Sequence, residues 1–240
     1  MAGHSKWANI QHRKGAQDAK RSKIFTKLIR EITVAARLFG GDLDSNPRLK
    51  VAIDKAKGAN MPKDTIEKAV KKGAEGLDGD NMESIRYEGY GPSGIAIIVD
   101  CLTDNKNRTV GEVRHAFTKF GGNLGTDGSV SYMFKKQGII RLDNSSNEEV
   151  VMELALDAGA EDVCEVDDGF IEVITSPENF DNVKDILSTN NHNVVESDLS
   201  FIPDNYTPID DEEIKERILK LLNMIDDLDD VQEIYHNAEF

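Results

Sequence analysis

Cysteine is nearly absent from this chain of 240 residues. Cys101 and Cys164 stand alone, with no Cys-x-x-Cys spacing, so the sequence encodes neither a disulfide framework nor a zinc site, and both thiols read as small core residues. Long hydrophobic runs are missing too. Ile95-Ala96-Ile97-Ile98-Val99 is far too short to span a bilayer, and the charged N-terminus has no apolar segment of the secretory kind. The expectation is a cytoplasmic protein without membrane contact. Catalytic signatures are equally scarce: there is no Walker-type loop and no Ser or Cys nucleophile motif, so no enzyme and no cofactor is expected. Cations are rare at one end only. Residues 143–240 hold 4 Lys or Arg against 28 Asp or Glu.

What is present is the opposite pole. Residues 1–75 carry 17 Lys or Arg against 8 acids, although the whole chain has a formal net charge of −15. The first thirty residues contain eight cations and a single acid, Asp18, together with the only Trp. A solvated face normally interleaves both signs. A run of Lys6, His12, Arg13, Lys14, Lys20, Arg21, Lys23, Lys27 and Arg30 nearly unbroken by acids suits phosphates, and Trp7 supplies a ring that can stack on a base. His4 adds a donor to phosphate or base. With Met1 removed, Ala2-Gly3-His4 would also have the groups of a square-planar copper or nickel site, which is set aside because metal availability leaves most such sites unfilled. A second candidate phosphate site is Asn105-Lys106-Asn107-Arg108-Thr109, where Lys106 and Arg108 flank a helix N-terminus.

The periodicity predicts an all-helical unit over residues 1–75, with a loose basic arm. Ile24, Phe25, Leu28, Ile29, Ile32 and Leu38 recur at helical spacing between Lys14 and Phe39, and Gly40-Gly41 stops the helix. Asn46-Pro47 and Pro62 open two more helices. Beyond a linker at residues 73–80 the period changes to two. Strands are predicted over 84–90 and 95–102, a helix with a capping box at Thr109-Val110-Gly111-Glu112, and a third strand near Ser129 to Lys135.

Residues 137–207 then read β-α-β-β-α-β, a ferredoxin-like order. Asp168-Gly169 forms its hairpin turn, and Ser146-Asn147 and Ser176-Pro177 start its helices. A helix from Asp210 to about Leu228 and a strand from Val231 to Tyr235 cannot bury themselves alone. Their simplest home is with residues 80–136, which makes 80–136 plus 208–240 a discontinuous middle domain and 137–207 an acidic insertion. The fold class is therefore α+β, a helical domain followed by two α/β domains, ferredoxin-like or split β-α-β, the last inserted into the middle one.

Three look-alikes fail on context. Gly89-Tyr90-Gly91-Pro92-Ser93-Gly94 has the letters of a dinucleotide fingerprint, but a strand follows it and no helix N-terminus is there to receive a pyrophosphate. Asp42-Leu43-Asp44-Ser45-Asn46 begins like a calcium loop, yet Pro47 and Ile53 stand where Gly and a bidentate Glu are required. The clusters Asp210-Asp211-Glu212-Glu213 and Asp226-Asp227 with Asp229-Asp230 read as an acid-rich first helical turn and a solvated helix end.

Several stretches resemble one family. Ala2-Gly3-His4-Ser5-Lys6-Trp7-Ala8-Asn9-Ile10 with His12-Arg13-Lys14 is similar to the opening signature of the YebC/PmpR family. Asn60-Met61-Pro62-Lys63-Asp64, Tyr87-Glu88-Gly89-Tyr90-Gly91-Pro92, residues 102–109 and Gly121-Gly122-Asn123-Leu124-Gly125 resemble its other hallmarks, while Gln11 replaces a usual Lys. The resemblance implies a non-enzymatic, cytoplasmic, three-domain regulator of gene expression. It implies DNA binding in transcription or, through mitochondrial relatives, a ribosome-associated role in translation with rRNA as target. The expected partners are thus DNA or rRNA and the ribosome, with a basic protein for the acidic C-terminal region. The expected state is a monomer or weak dimer.

Overall fold

The computed structural model describes residues 17–76, 82–166 and 169–240, with residues 17–22 described by their backbone alone. The arm at 1–16, residues 77–80 of the linker and Asp168 of the hairpin lie outside the described residues. What is described divides into two compact units, one of residues up to 131 with 209–236 and 240, the other of 132–208 with 237–239. The chain is a mixed α+β protein in which helices precede the sheets.

The first unit opens with α1 (Gln17–Phe39), α2 (Pro47–Gly58) and α3 (Lys63–Ala74). Their apolar stripes meet in one core of Ile32, Ala35, Leu49, Ala56 and Ile66. Asn46 makes the corner between α1 and α2. Its Oδ1 accepts from the Leu49 amide at 3.0 Å, and its Nδ2 donates to the carbonyls of Ala35 and Gly40 at 2.9 and 2.8 Å. The side chain is fully buried, so the residue that ends the false calcium loop is a helix cap satisfied on every side.

The same unit continues with β1 (Glu83–Tyr90), β2 (Ala96–Thr103), α4 (Lys106–Lys119) and β3 (Asn123–Leu124). β1 runs antiparallel to β2 with Tyr87 opposite Val99, and β3 lies on the outer side of β1. Ala96 to Val99 are all fully buried, which is why this strand reads as an unbroken apolar run. Val113, Ala116 and Phe117 form the buried stripe of α4, and burial of the Phe117 ring contributes roughly 2–3 kcal/mol.

After β3 the chain builds the second unit: β4 (Phe134–Leu142), α5 (Glu148–Asp157), β5 (Ala160–Glu165), β6 (Ile171–Thr175), α6 (Phe180–Thr189) and β7 (Val194–Pro203). The sheet order β5-β6-β4-β7, antiparallel throughout, is that of a ferredoxin-like unit. Ile140, Leu142 and Val173 pack with Val151 of α5 and Val183 of α6, and Ile139, Ile174 and Ile202 form a separate cluster. A short parallel pair, β8 (Thr207–Pro208) with the later segment Ala238–Glu239, belongs to this unit. The first unit is completed by α7 (Glu212–Asp226) and β9 (Val231–His236), which pairs antiparallel with β2 and makes the first sheet β3-β1-β2-β9.

Three local expectations are corrected. Ser129 to Lys135 is not a third strand of the first sheet: a 3-10 turn occupies Ser131–Met133, and β4 begins at Phe134 in the other sheet. The reason is Glu88, whose carboxylate takes the amides of Val130 and Ser131 that a ladder would have used. The first helix of the β-α unit is capped by Asn105 and not by Thr109. The Ser176-Pro177 pair makes a turn that precedes α6, which starts at Phe180.

Candidate nucleic-acid interface

The cations nominated from the sequence meet different fates. His4, Lys6, Trp7, His12, Arg13 and Lys14 lie outside the described residues, and Lys20 and Arg21 lie on the first turns of α1. Lys23, Lys27 and Arg30 follow at helical spacing on one face of α1. All three are answered within the chain. Lys23 Nζ lies 2.9 Å from Asp227 Oδ1 and Lys27 Nζ 2.9 Å from Asp226 Oδ1. Arg30 Nη1 donates to the Asp229 carbonyl at 2.7 Å and to Asp230 Oδ1 at 3.2 Å.

The acidic cluster after α7 is therefore not a solvated helix end. It is where the charge poles of the chain meet: the last carbonyls of α7 carry the negative end of the helix dipole, and Lys23 and Lys27 also point at the carbonyls of Asp227 and Asp226. The pairs differ in weight. Lys23 and Asp227 are about half exposed, so their contact is worth roughly 0–1 kcal/mol. Lys27 and Arg30 are mostly covered, and Asp230 is 3% exposed.

Asp230 is the hub. Its Oδ2 receives Arg108 Nη2 at 2.8 Å, Thr109 Oγ1 at 2.8 Å and Thr103 Oγ1 at 3.0 Å, while Arg30 approaches Oδ1. Burial by itself would raise the Asp230 carboxyl, but the hydrogen bonds from Arg108, Thr109 and Thr103 and the guanidinium charge hold it below the ordinary aspartate range. The backbone of Asp230 joins in, its carbonyl accepting from the Leu102 amide at 2.8 Å. One carboxylate thus ties α1, β2, α4 and the end of α7 together.

The second candidate patch is largely satisfied by the same network. Asn105 Oδ1 caps α4 by accepting from the Arg108 amide at 3.1 Å. Arg108 reaches Asp104 and Asp230, and Lys106 pairs with Glu83. The two carboxylates raise the Arg108 guanidinium above its ordinary value. A phosphate at this helix N-terminus would have to displace its own cap and ion pairs.

Two features escaped the sequence reading. Asp230, Thr103 and Thr109 are far apart in the chain, and nothing in their local patterns signals a shared buried site. Glu88 is 2% exposed and accepts from the amides of Gly128, Val130 and Ser131 at 3.0, 2.7 and 2.8 Å. Its burial would raise the carboxyl, but the three amides overcome this and keep it low, which fixes the loop at 125–131. Of the fingerprint-like glycines, Gly89 and Gly91 serve packing: a Cβ on Gly89 would meet the Asn123 carbonyl oxygen at 2.6 Å and the Phe117 ring at 2.8 Å, and one on Gly91 would meet the Ile95 side chain at 2.9 Å.

Burial pushes the Cys101 thiol up to about 12, so it is an inert core group, while Cys164 is half-buried. Among the described residues no helix is long and apolar enough to cross a membrane.

The chain matches two family descriptions, "TACO1/YebC protein N-terminal domain" over residues 5–76 and "TACO1/YebC second and third domain" over residues 82–238. It is 59% identical over 239 residues to a probable transcriptional regulatory protein of Idiomarina loihiensis, covering 100% of this chain and 96% of the relative. It is 61% identical over 240 residues to one of Legionella pneumophila, again covering 100% and 96%. Among solved structures, a conserved hypothetical protein from Aquifex aeolicus superposes with a TM-score of 0.82 at 46% identity, over 98% of this chain and 97% of that one.

Proposed function

The chain belongs to the TACO1/YebC family, whose curated relatives are named probable transcriptional regulatory proteins, and on that premise we propose that it is a non-enzymatic, DNA-binding regulator of transcription acting in the cytoplasm. DNA phosphates are held by the basic N-terminal lobe. The observation that carries this reading is the pairing of the later cations of α1, taken with the composition of the segment before them. Lys23, Lys27 and Arg30 are matched to the carboxylates and carbonyls after α7, which anchors the helix to the first sheet. The stretch before them, with Lys6, Arg13, Lys14, Lys20 and Arg21 against the single acid Asp18, keeps the composition of a phosphate-binding arm.

An anchored helix reduces the ordering cost of binding, because the arm leaves from a fixed point. The acidic remainder of the chain is a poor surface for a polyanion such as DNA. Five phosphate contacts would give a logarithmic salt slope of about −4 to −5 on duplex DNA.

The test is a gel-shift titration of the full chain on duplex DNA at several salt concentrations, with chromatin immunoprecipitation in the cell. Saturable binding with that salt slope, and enrichment at a discrete set of promoters, is the expected result. Failure to bind any duplex, or co-sedimentation with ribosomes and crosslinks from residues 1–30 to rRNA, would overturn it.

A further inference from the structure

Gly111 sits in the middle of α4 on its solvent side, and among the described residues nothing outside its own stretch of helix lies within 4 Å of where its Cβ would be. A glycine inside a helix costs about 1 kcal/mol relative to alanine, and here no internal contact demands it. The sequence thus weakens α4 at a position where the molecule itself has no use for the space. A glycine of this kind fits the close approach of another backbone.

Its surroundings indicate which backbone. At 100° per residue, Asn107, Gly111, Arg114, His115 and Thr118 share a sector of about 100°, and all five are exposed. An amide, a guanidinium, an imidazole and a hydroxyl surround the gap, each able to donate a hydrogen bond. No carboxylate lies in the sector; the nearest on the helix, Glu112, stands outside its border beside Lys119. The contrast with α1 is direct. Lys23, Lys27 and Arg30 are bound to carboxylates, whereas the side chains of Arg114 and His115 make no hydrogen bond or ion pair among the described residues. From Asn107 to Thr118, eleven steps of the helix, the strip runs about 16 Å, enough for more than one phosphate of a strand.

We propose that this face of α4 is a second phosphate-contact surface, over which one strand of duplex DNA passes close to Gly111 while Arg114, His115, Asn107 and Thr118 donate to its phosphate oxygens. The inference rests on the DNA-binding reading given above and adds a surface to it. The contacts are to the backbone, so they position the duplex and carry no base preference.

The experiment is fluorescence anisotropy with a labelled DNA duplex of mixed sequence and an RNA stem of the same length, at low and physiological salt, on the full chain. Arg114→Glu is expected to weaken DNA binding roughly tenfold and to lower the salt slope by about one, with an unchanged melting temperature. Gly111→Gln is expected to raise the melting temperature, since it restores helix propensity, while weakening DNA binding severalfold. That divergence of stability and affinity is what a merely structural glycine would not produce. Loss of binding in Lys20→Glu/Arg21→Glu with unaltered binding in both α4 variants would overturn this surface and leave the parent reading intact. A wild-type chain that binds no DNA would defeat the parent reading and this one together. Effects seen with the RNA stem and absent with DNA would overturn the assignment of the strip to DNA.

Discussion

Arg108 Nη2 lies 2.8 Å from Asp230 Oδ2, across 122 positions of sequence, and the carboxylate it meets is almost fully enclosed. Thr103, Thr109 and Arg30 donate to the same group, so Asp230 is a junction of four side chains. Arg108 had the look of a phosphate ligand, and its partner turns out to be internal.

Removing the junction should be costly. Asp230→Ala removes the shared acceptor of two guanidinium groups and two hydroxyls, of which Arg30 keeps the Asp229 carbonyl and Arg108 keeps Asp104, and the expected loss is about 2–3 kcal/mol of unfolding free energy. Urea denaturation followed by circular dichroism measures it. Lys23→Ala, which breaks an exposed pair, should change stability by less than about 1 kcal/mol in the same assay. Equal effects of the two substitutions would contradict the hub.

The pH dependence follows from two carboxyl groups. Asp230 and Glu88 are held below their ordinary values of 3.8 and 4.5, because donors outweigh the burial that would raise them. A group lowered in the folded state binds more protons when unfolded, so its contribution is complete above the ordinary value and is lost as pH falls through the folded one. The melting temperature should therefore be flat above about pH 5 and fall steeply below pH 4. In Glu88→Gln, less stable at neutral pH, the acid-side slope should be shallower; an unchanged slope would remove Glu88 from this account.

The two halves of the basic segment should separate in one pair of variants. Lys20→Glu/Arg21→Glu is expected to lower DNA affinity at least tenfold and the salt slope by about two, with the melting temperature retained. Lys27 Nζ lies 2.9 Å from Asp226 Oδ1 in a mostly covered pair, so Lys27→Glu sets two carboxylates against each other and is expected to lower the melting temperature first. Calorimetry beside the binding titration distinguishes them, and a stable Lys27→Glu protein would show that the joint is dispensable.

Gly89→Ala tests the packing role of the false fingerprint. The added methyl collides with the Asn123 carbonyl and the Phe117 ring, and a loss of about 1–3 kcal/mol in urea is expected. Gly111→Ala, in open space on α4, should instead gain up to about 1 kcal/mol. A neutral Gly89→Ala would mean that β1 and α4 shift apart freely.

Most of the secondary structure was legible because it is local. The Asn46-Pro47 start of α2, the apolar run of β2 and the β-α-β-β-α-β rhythm from β4 to β7 each follow from periodicity and turn chemistry over a few residues. The exceptions are instructive. Ser129 to Ser131 reads as strand, but its amides are claimed by a carboxylate some forty residues earlier. Thr109 reads as a cap, but its hydroxyl points at Asp230, and Asn105 caps the helix instead. In both cases a distant acceptor outcompeted the local pattern.

By itself the sequence determined the class of fold, the order of its elements and the sorting of charge, with a positive head and a tail of net −24. These depend on residue identity and short-range spacing, which the chain carries before it folds. Only the tertiary structure decided which cations are available. Lys23, Lys27, Arg30 and Arg108 look equivalent to Arg114 in the sequence, but folding brings carboxylates from residues 226–230 within 3.2 Å of the first four. Coulomb attraction does not depend on separation along the chain. A charge count therefore identifies a basic segment, and only folding shows which of its charges are already matched.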